Sequence, residues 1–253
     1  MTRPRAQRVQ DVDRSGCIAY EGRFPGHCPL CFGPLVLVPE TPGHARHAHI
    51  RQAAQCVLTT DQYQPADLAA RVQRNARVAT ANRRRFVQEW ERHYALLKHL
   101  CPTFSMARMT TALSYADVLG VWSYSKLREE TIAPLLLALS GFMRSSTASD
   151  PLDPPDTPDG FGKSVRWLRF WFDASVRDIG DLWAPRPDVP GFFRVEYSEP
   201  ESTPFPTGGQ VMRWTMLHDI PGMWANLEAG STAPITPVER NAFERFLKQS
   251  RDA

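Results

Sequence analysis

The sequence predicts a mainly α-helical fold with a small β part, and three observations support this class. A long stretch from Ala66 to Leu100 has helical periodicity, whereas strand-like alternation is confined to short runs. Paired cysteines near the N-terminus predict a small metal-stabilised unit. The predicted order is therefore an N-terminal zinc-ribbon-like finger, a central helical segment and a C-terminal α+β segment.

The chain of 253 residues, 42% of them hydrophobic, is long enough to bury a sizeable core. We predict a zinc finger over residues 1–63, a helical region over 64–144, a linker over 145–160 and an α+β region over 161–253. The linker is the clearest break, because it is rich in Pro, Ser and Asp, which do not sustain a regular element.

The predicted finger begins with a cysteine knuckle at Cys28 and Cys31. Zn²⁺ prefers four soft or borderline ligands in a tetrahedron, and a Cys-x2-Cys turn supplies two thiolates. Gly33 suits the sharp turn, where a positive φ is expected and costs glycine little. The apolar run 35–38 predicts a short strand, and Pro42-Gly43 the turn after which the chain returns.

The returning segment carries the remaining candidate ligands. Cys56 lies at a distance along the chain that suits the closure of a metal site. Several histidines lie near the knuckle or before Cys56, and the residues alone do not decide which one binds. The candidates are His44, His47 and His49, and His27 sits beside the knuckle.

The segment from about residue 17 to residue 60 resembles the N-terminal zinc finger of competence protein CoiA and its relatives. In that family a Cys-Pro-x-Cys knuckle is followed by a His-Phe-Ala-His box and a further Cys. Here the knuckle reads Cys28-Pro-Leu-Cys31 and the box reads Arg46-His47-Ala48-His49. The resemblance implies a zinc ion bound by Cys28, Cys31, His49 and Cys56. His47 is the alternative ligand, because the first two positions of the box differ.

The resemblance also bears on activity, because the CoiA finger precedes a nuclease-like domain. Nucleases of that fold hold a divalent metal with an Asp and a Glu-x-Lys pair. None of the four lysines here follows a glutamate at that spacing; the residues two positions before them are Leu96, Tyr124, Phe161 and Phe246. We therefore expect a protein without enzymatic activity and with a structural zinc, since four-ligand sites rich in thiolate are structural.

The stretch from Ala66 to Leu100 predicts one long amphipathic helix, with Pro65 before it and Pro102 after it. At 100° per residue, most of its apolar side chains fall within about one third of the circle. Arg83 also falls there, so a kink or a buried ion pair is expected. The opposite side carries Arg71, Arg74, Arg77, Arg84, Arg85 and Arg92. Guanidinium groups match phosphate geometry, so these arginines predict a nucleic-acid-binding face; a solvated face paired with acids is the alternative.

The C-terminal region predicts two helices and two strands. The first helix begins at Ser164 and ends near Leu182. The runs 192–197 and 210–217 alternate like paired strands. The sequence 236–239, Thr-Pro-Val-Glu, has the capping-box pattern that begins a final helix.

The charge is unevenly distributed along the chain. The net charge is +3, but residues 1–100 hold 15 Lys and Arg against 8 Asp and Glu, so the remainder is acidic. By analogy with the finger's family, we expect a nucleic-acid-binding accessory protein of a bacterial DNA-handling, mobile-element or defence system. The alternative is a protein–protein adaptor without nucleic-acid contact, which binds a partner through its acidic, tryptophan-rich C-terminal half.

The sequence further predicts a cytoplasmic protein that makes no membrane contact. No apolar stretch follows the first residues, and no apolar run approaches the length of a membrane span. The odd number of cysteines, five, argues against a disulfide framework, and a reducing compartment keeps thiolates available for zinc.

Overall fold

The computed structural model describes residues 16–62, 68–146, 165–227 and 235–249. These ranges contain seven α-helices and seven β-strands, and the strands form two antiparallel sheets. The protein therefore has an α+β fold, and the prediction of a mainly α-helical fold is wrong.

The N-terminal finger is a three-stranded sheet followed by a short helix. Its elements are β1 (Cys17–Ala19), β2 (Leu35–Leu37), β3 (His44–His47) and α1 (Ile50–Gln55). Strand β3 lies in the middle and pairs antiparallel with both neighbours. The strand predicted after the knuckle and the returning segment are confirmed, since Leu35 pairs with His47.

The central part of the chain consists of four α-helices. They are α2 (Ala76–Gln88), α3 (Trp90–Leu100), α4 (Met106–Leu119) and α5 (Glu129–Leu139). The single helix predicted from Ala66 to Leu100 is thus two helices separated at Glu89, and residues 68–75 are not helical. Asn75 caps α2, because its side chain accepts a hydrogen bond from Val78 N.

Arg83, which falls within the apolar arc of α2, forms the ion pair expected there. Its guanidinium nitrogen lies 3.2 Å from a carboxylate oxygen of Asp117, and its side chain is only 19% exposed. The guanidinium carbon also lies 5.1 Å from the ring centroid of Trp122. This arginine therefore joins α2 to α4.

The C-terminal sheet has four antiparallel strands, and two helices follow it. The elements are β4 (Met143–Ser146), β5 (Val165–Phe172), β6 (Phe192–Tyr197), β7 (Val211–Leu217), α6 (Ile220–Asn226) and α7 (Pro237–Gln249). Both predicted strands are confirmed, and they pair with each other. The capping box is confirmed as well: Thr236 N donates to Glu239 Oε2 at 2.9 Å, and Glu239 N donates to Thr236 Oγ1 at 3.2 Å.

Strand β5 occupies much of the segment that was predicted as a helix from Ser164 to Leu182, and this accounts for much of the error in fold class. Both faces of β5 are covered, so apolar side chains occur on both. Periodicity alone does not separate such a strand from a buried helix. Of the predicted linker 145–160, only Ser145 and Ser146 are described, and they end β4; the rest lies outside the described residues.

The four-stranded sheet lies between the finger and the helices. Its residues alternate between two separate buried clusters, as expected for a strand period of two. The residues that face the finger are Trp167, Phe193, Val195 and Tyr197. The residues that face the helices are Leu168, Phe170 and Phe192. The predicted helical and α+β regions therefore share one core.

Hydrogen bonds fasten the finger to the C-terminal part of the chain. The donor and acceptor pairs are Ala174 N to Leu30 O at 2.7 Å, Gly208 N to Thr60 O at 2.6 Å, and Trp214 Nε1 to Ala19 O at 2.9 Å. The finger is thus held against the sheet by backbone contacts as well as by apolar packing.

Gly208→Ala is expected to destabilise the protein, because Gly208 lies against the backbone of the finger. A Cβ atom there would lie 2.5 Å from Thr60 N and 2.6 Å from Thr59 C. Overpacking of this kind costs about 1–3 kcal/mol of unfolding free energy. Gly209→Ala is the matched control, because the nearest atoms to its Cβ would be 3.7 Å away. Equal denaturation midpoints for the two variants would contradict this close approach.

Candidate metal centre

Three cysteines and one histidine converge where the finger meets the sheet. The ligand atoms of Cys28, Cys31, His47 and Cys56 all lie within 4.8 Å of one another. The Sγ atoms of Cys28 and Cys56 are 3.8 Å apart, and Cys31 Sγ is 3.1 Å from His47 Nε2. A tetrahedral zinc with Zn–S bonds of about 2.3 Å has sulfur–sulfur edges of about 3.8 Å. The four groups therefore have the number, type and spacing that zinc requires.

The electrostatics of the three thiols favour a cation at their centre. Cys28 and Cys56 are each only 1% exposed. Hydrogen bonds from Cys28 and Cys56 lower the pKa of Cys31, whereas hydrogen bonds with Cys28 and Cys31, followed by burial, raise the pKa of Cys56. Cys31 and Cys56 thus do not both ionise at this spacing without an opposite charge. A divalent ion supplies that charge and replaces their protons.

Thr59 fixes which ring nitrogen of His47 faces the cysteines. Thr59 Oγ1 donates to Ala53 O at 2.8 Å, so it accepts from His47 Nδ1, which is 3.3 Å away. Nε2 is then the nitrogen that is free to bind a metal. Without a metal, burial lowers the pKa of His47, but hydrogen bonds to Cys28 and Cys31 outweigh it and raise this pKa to about 9. A bound ion would displace the proton on Nε2.

The knuckle is closed by a residue in the left-handed conformation, and that residue is Phe32, with φ of 60°, rather than Gly33. The expected positive φ at Gly33 is therefore wrong. Gly33 is needed for a different reason: a Cβ atom there would lie 3.0 Å from His47 Cδ2 and 3.3 Å from Cys31 Sγ. Its backbone N–H also points at Cys31 Sγ, at 3.4 Å. The absence of a side chain lets this N–H approach the sulfur.

The structure brings His47, and not His49, to the cysteines. His47 ends β3 on the same buried side as Ala45, with exposed fractions of 6% and 0%. His49 lies beyond the strand as the N-cap of α1 and is exposed. His47, the alternative ligand, therefore lies at the site in place of His49, which the resemblance implied. The strand period of two, counted from Ala45, is the sequence signal that could have selected His47.

We expect His47→Ala to weaken zinc binding strongly and His49→Ala to leave it nearly unchanged. Loss of an outer-shell partner typically costs about 10–100-fold in metal affinity, and loss of a direct ligand costs at least as much. Competition with a chromophoric chelator at fixed pH measures both variants. If His49→Ala weakened binding more than His47→Ala, His49 would be the ligand and the arrangement of β3 described above would be contradicted.

The arginines of the predicted stripe fall into two groups: five of the six are exposed, and four of these five form no ion pair in the described ranges. Arg71 and Arg74 precede α2, while Arg77 and Arg84 lie on it. None of the four forms an ion pair with another residue in the described ranges. Arg74 does donate a hydrogen bond to Val118 O at 2.7 Å. These four guanidinium groups are therefore the ones available to a phosphate.

The other two arginines of the stripe make internal contacts. Arg85 lies 3.2 Å from a carboxylate oxygen of Glu129. The guanidinium of Arg92 lies 4.1 Å from the ring centroid of Trp224 and donates to the carbonyl oxygen of the same residue at 2.5 Å. Because the predicted single helix is two helices, the six arginines do not form one continuous stripe.

The fold and the site together define an α+β protein with a Cys3His candidate zinc centre in its finger, on the side that packs against the sheet. Comparisons with protein-family models, with curated proteins and with solved structures give no significant match. The resemblance to the CoiA finger therefore stays a prediction. Among the described residues, no helix is both long enough and apolar enough to cross a membrane.

Proposed function

We propose that this protein is a nucleic-acid-binding accessory protein in which a structural zinc holds the finger together where it packs on the C-terminal sheet. The observation that carries the structural role is the convergence of Cys28, Cys31, His47 and Cys56, of which all but Cys31 are buried. Four protein ligands complete a tetrahedral shell, so no coordination position is left for a water or a substrate. The proposed role of the metal is mechanical rather than catalytic.

The nucleic-acid part of the proposal rests on the exposed group Arg71, Arg74, Arg77 and Arg84. The carboxylate of Asp178 lies beside Arg71, but it accepts its hydrogen bonds from backbone N–H groups and a hydroxyl group. Its Oδ2 accepts from Arg71 N at 2.7 Å, and its Oδ1 accepts from Gly180 N at 2.7 Å and from Tyr124 Oη at 3.0 Å. The guanidinium of Arg71 forms no ion pair with this carboxylate. Among the described residues it has no ion-pair partner, so it is available to an anion.

This exposed group fits the phosphodiester backbone better than it fits base edges. Guanidinium groups bind phosphate oxygens through two parallel hydrogen bonds, and such contacts position a protein without reading sequence. The large hydrophobic residues found exposed in the described ranges include no aromatic residue near α2 in the chain. We therefore propose binding without sequence preference.

The salt dependence of binding tests this proposal. Fluorescence anisotropy with labelled duplex and single-stranded oligonucleotides, between about 50 and 200 mM salt, should show a steep loss of affinity. Four phosphate contacts predict a slope of about −3.6 in log K against log salt for duplex DNA. The absence of salt-sensitive binding at low ionic strength would remove nucleic acid as the partner and leave the adaptor alternative.

The adaptor alternative depends on tryptophans of the acidic C-terminal half being available to a partner. Two of these tryptophans pack within the protein instead. Trp167 is 7% exposed, and Trp224 stacks on His93 with ring centroids 4.6 Å apart. The role in a bacterial DNA-handling, mobile-element or defence system, like the cytoplasmic location, is supported by the resemblance and by sequence features alone. Both are part of the proposal.

A further inference from the structure

We propose that Arg169, on the C-terminal sheet, is a positioning residue whose charge offsets that of the zinc–thiolate centre. The sheet would then set the metal affinity of the finger. This inference rests on the proposed zinc site and adds to it a residue that lies outside the finger.

The first step is the charge of the centre itself. Zn²⁺ bound by three thiolates and one neutral imidazole carries one net negative charge. The imidazole is neutral in that state because the metal would occupy Nε2, so its one proton is on Nδ1, which donates to Thr59 Oγ1. Cys28 and Cys56 are buried with the residues of the sheet. A net charge in a buried cluster is costly unless an opposite charge lies in the same cluster.

The second step is the position of Arg169. It lies in the middle of β5, between Trp167 and Trp171 on the sheet face toward the finger, and is 3% exposed. Its guanidinium carbon lies 3.9 Å from the ring centroid of Trp171 and 4.7 Å from that of Phe142. Both rings, like Cys31, pack against the buried cluster that contains Cys28 and Cys56. A positive charge is therefore held on the surface against which the metal centre packs.

Tyr197 joins the surroundings of Arg169 to those of the cysteines, because it lies in the same buried cluster as Cys28 and Cys56. Its hydroxyl accepts a hydrogen bond from Trp171 Nε1 at 3.1 Å. Burial raises the pKa of Tyr197; the Trp171 hydrogen bond and the positive charge of Arg169 oppose this increase, and the negative charge of Cys56 adds to it. The hydroxyl group is thus within electrostatic reach of both the sheet arginine and a zinc ligand.

The test is the zinc affinity of the full-length Arg169→Met and Arg169→Lys variants, measured by chelator competition at fixed pH. Arg169→Met should weaken zinc binding by about 10–100-fold, the range typical of outer-shell groups, and Arg169→Lys should recover most of this loss. With cobalt in place of zinc, the thiolate-to-metal charge-transfer band should shift in Arg169→Met and stay near its wild-type position in Arg169→Lys.

Arg194→Met is the matched control. Arg194 is also buried, at 4% exposed, but it lies on the opposite face of the same sheet and pairs with Glu196 at 3.0 Å. The Arg194→Met variant should be less stable than wild type, but its zinc affinity and its cobalt spectrum should not change selectively. Equal effects of Arg169→Met and Arg194→Met on zinc affinity would overturn the proposal, because Arg169 would then be a packing residue only.

If Arg169→Met does not fold, Arg169→Lys decides the question alone. A lysine ammonium keeps the charge but loses the planar stacking on Trp171. Zinc affinity within a few-fold of wild type supports the charge role, and a large loss contradicts it. A wild-type protein that binds no stoichiometric zinc would instead refute the metal centre itself, which is a different and recognisable outcome.

Discussion

Replacing Cys28 with serine is expected to release the zinc and unfold the finger while the helices remain folded. Cys28 belongs to the four-ligand cluster and is 1% exposed. The described finger, residues 16–62, is too small to fold without a metal or other support. Structural zinc contributes about 10–16 kcal/mol of apparent binding free energy in isolated zinc fingers, more than a unit of this size can replace.

Hydrogen exchange measured by mass spectrometry locates the effect of Cys28→Ser. Amide protection should fall across residues 16–62 and along the sheet face that they cover. Helices α2 to α5 should keep their protection, because they pack on the opposite face of the sheet in a separate cluster. Cys101→Ser is the control: Cys101 lies in the helical cluster, so this variant should keep one zinc. Full zinc retention in Cys28→Ser would contradict the assigned ligand set.

A second large effect is expected when the four exposed arginines that form no ion pair, Arg71, Arg74, Arg77 and Arg84, are replaced together by glutamine. Each lost phosphate contact should reduce the salt slope by about one, so the slope on duplex DNA should fall by about 3 to 4. Binding to all sequences should weaken alike, because phosphate contacts do not read bases. The unfolding free energy should change by less than about 0.5 kcal/mol, since surface substitutions usually have small effects.

The double variant Arg85→Gln/Arg92→Gln is the matched control for this prediction. It removes guanidinium groups from the same part of the chain, but their partners, Glu129 and Trp224, lie within the protein. It should lower the unfolding free energy more than the quadruple variant does, and it should leave the salt slope near that of wild type. A quadruple variant that unfolds, or that binds as tightly as wild type, would show that the exposed group is not a phosphate-binding face.

The parts of the site that follow from local spacing were predictable from the sequence. The Cys-x2-Cys knuckle, the strand after it and the return through Pro42-Gly43 bring Cys28, Cys31 and Cys56 together. The choice of histidine was less accessible, because it depends on where β3 ends. His47 is the last residue of that strand and points inward, whereas His49 begins the next helix.

Features that depend on distant residues were not predictable in the same way. Arg92 looks free on a helical wheel, yet its partner Trp224 lies 132 residues further along the chain. The apolar spacing of residues 164–182 predicts a helix, but β5 pairs with β6, which comes later in the chain, and its two faces are covered by the finger and by the helices. The share of aromatic residues in β5 was the available local signal for a strand.

X-ray absorption at the zinc edge, combined with metal quantification of protein purified without chelator, tests the central claim most directly. We predict one zinc per chain, with three sulfur ligands at about 2.3 Å and one nitrogen ligand at about 2.0–2.1 Å. The absence of stoichiometric zinc, or a first shell made mainly of oxygen and nitrogen, would contradict the Cys28, Cys31, His47 and Cys56 centre.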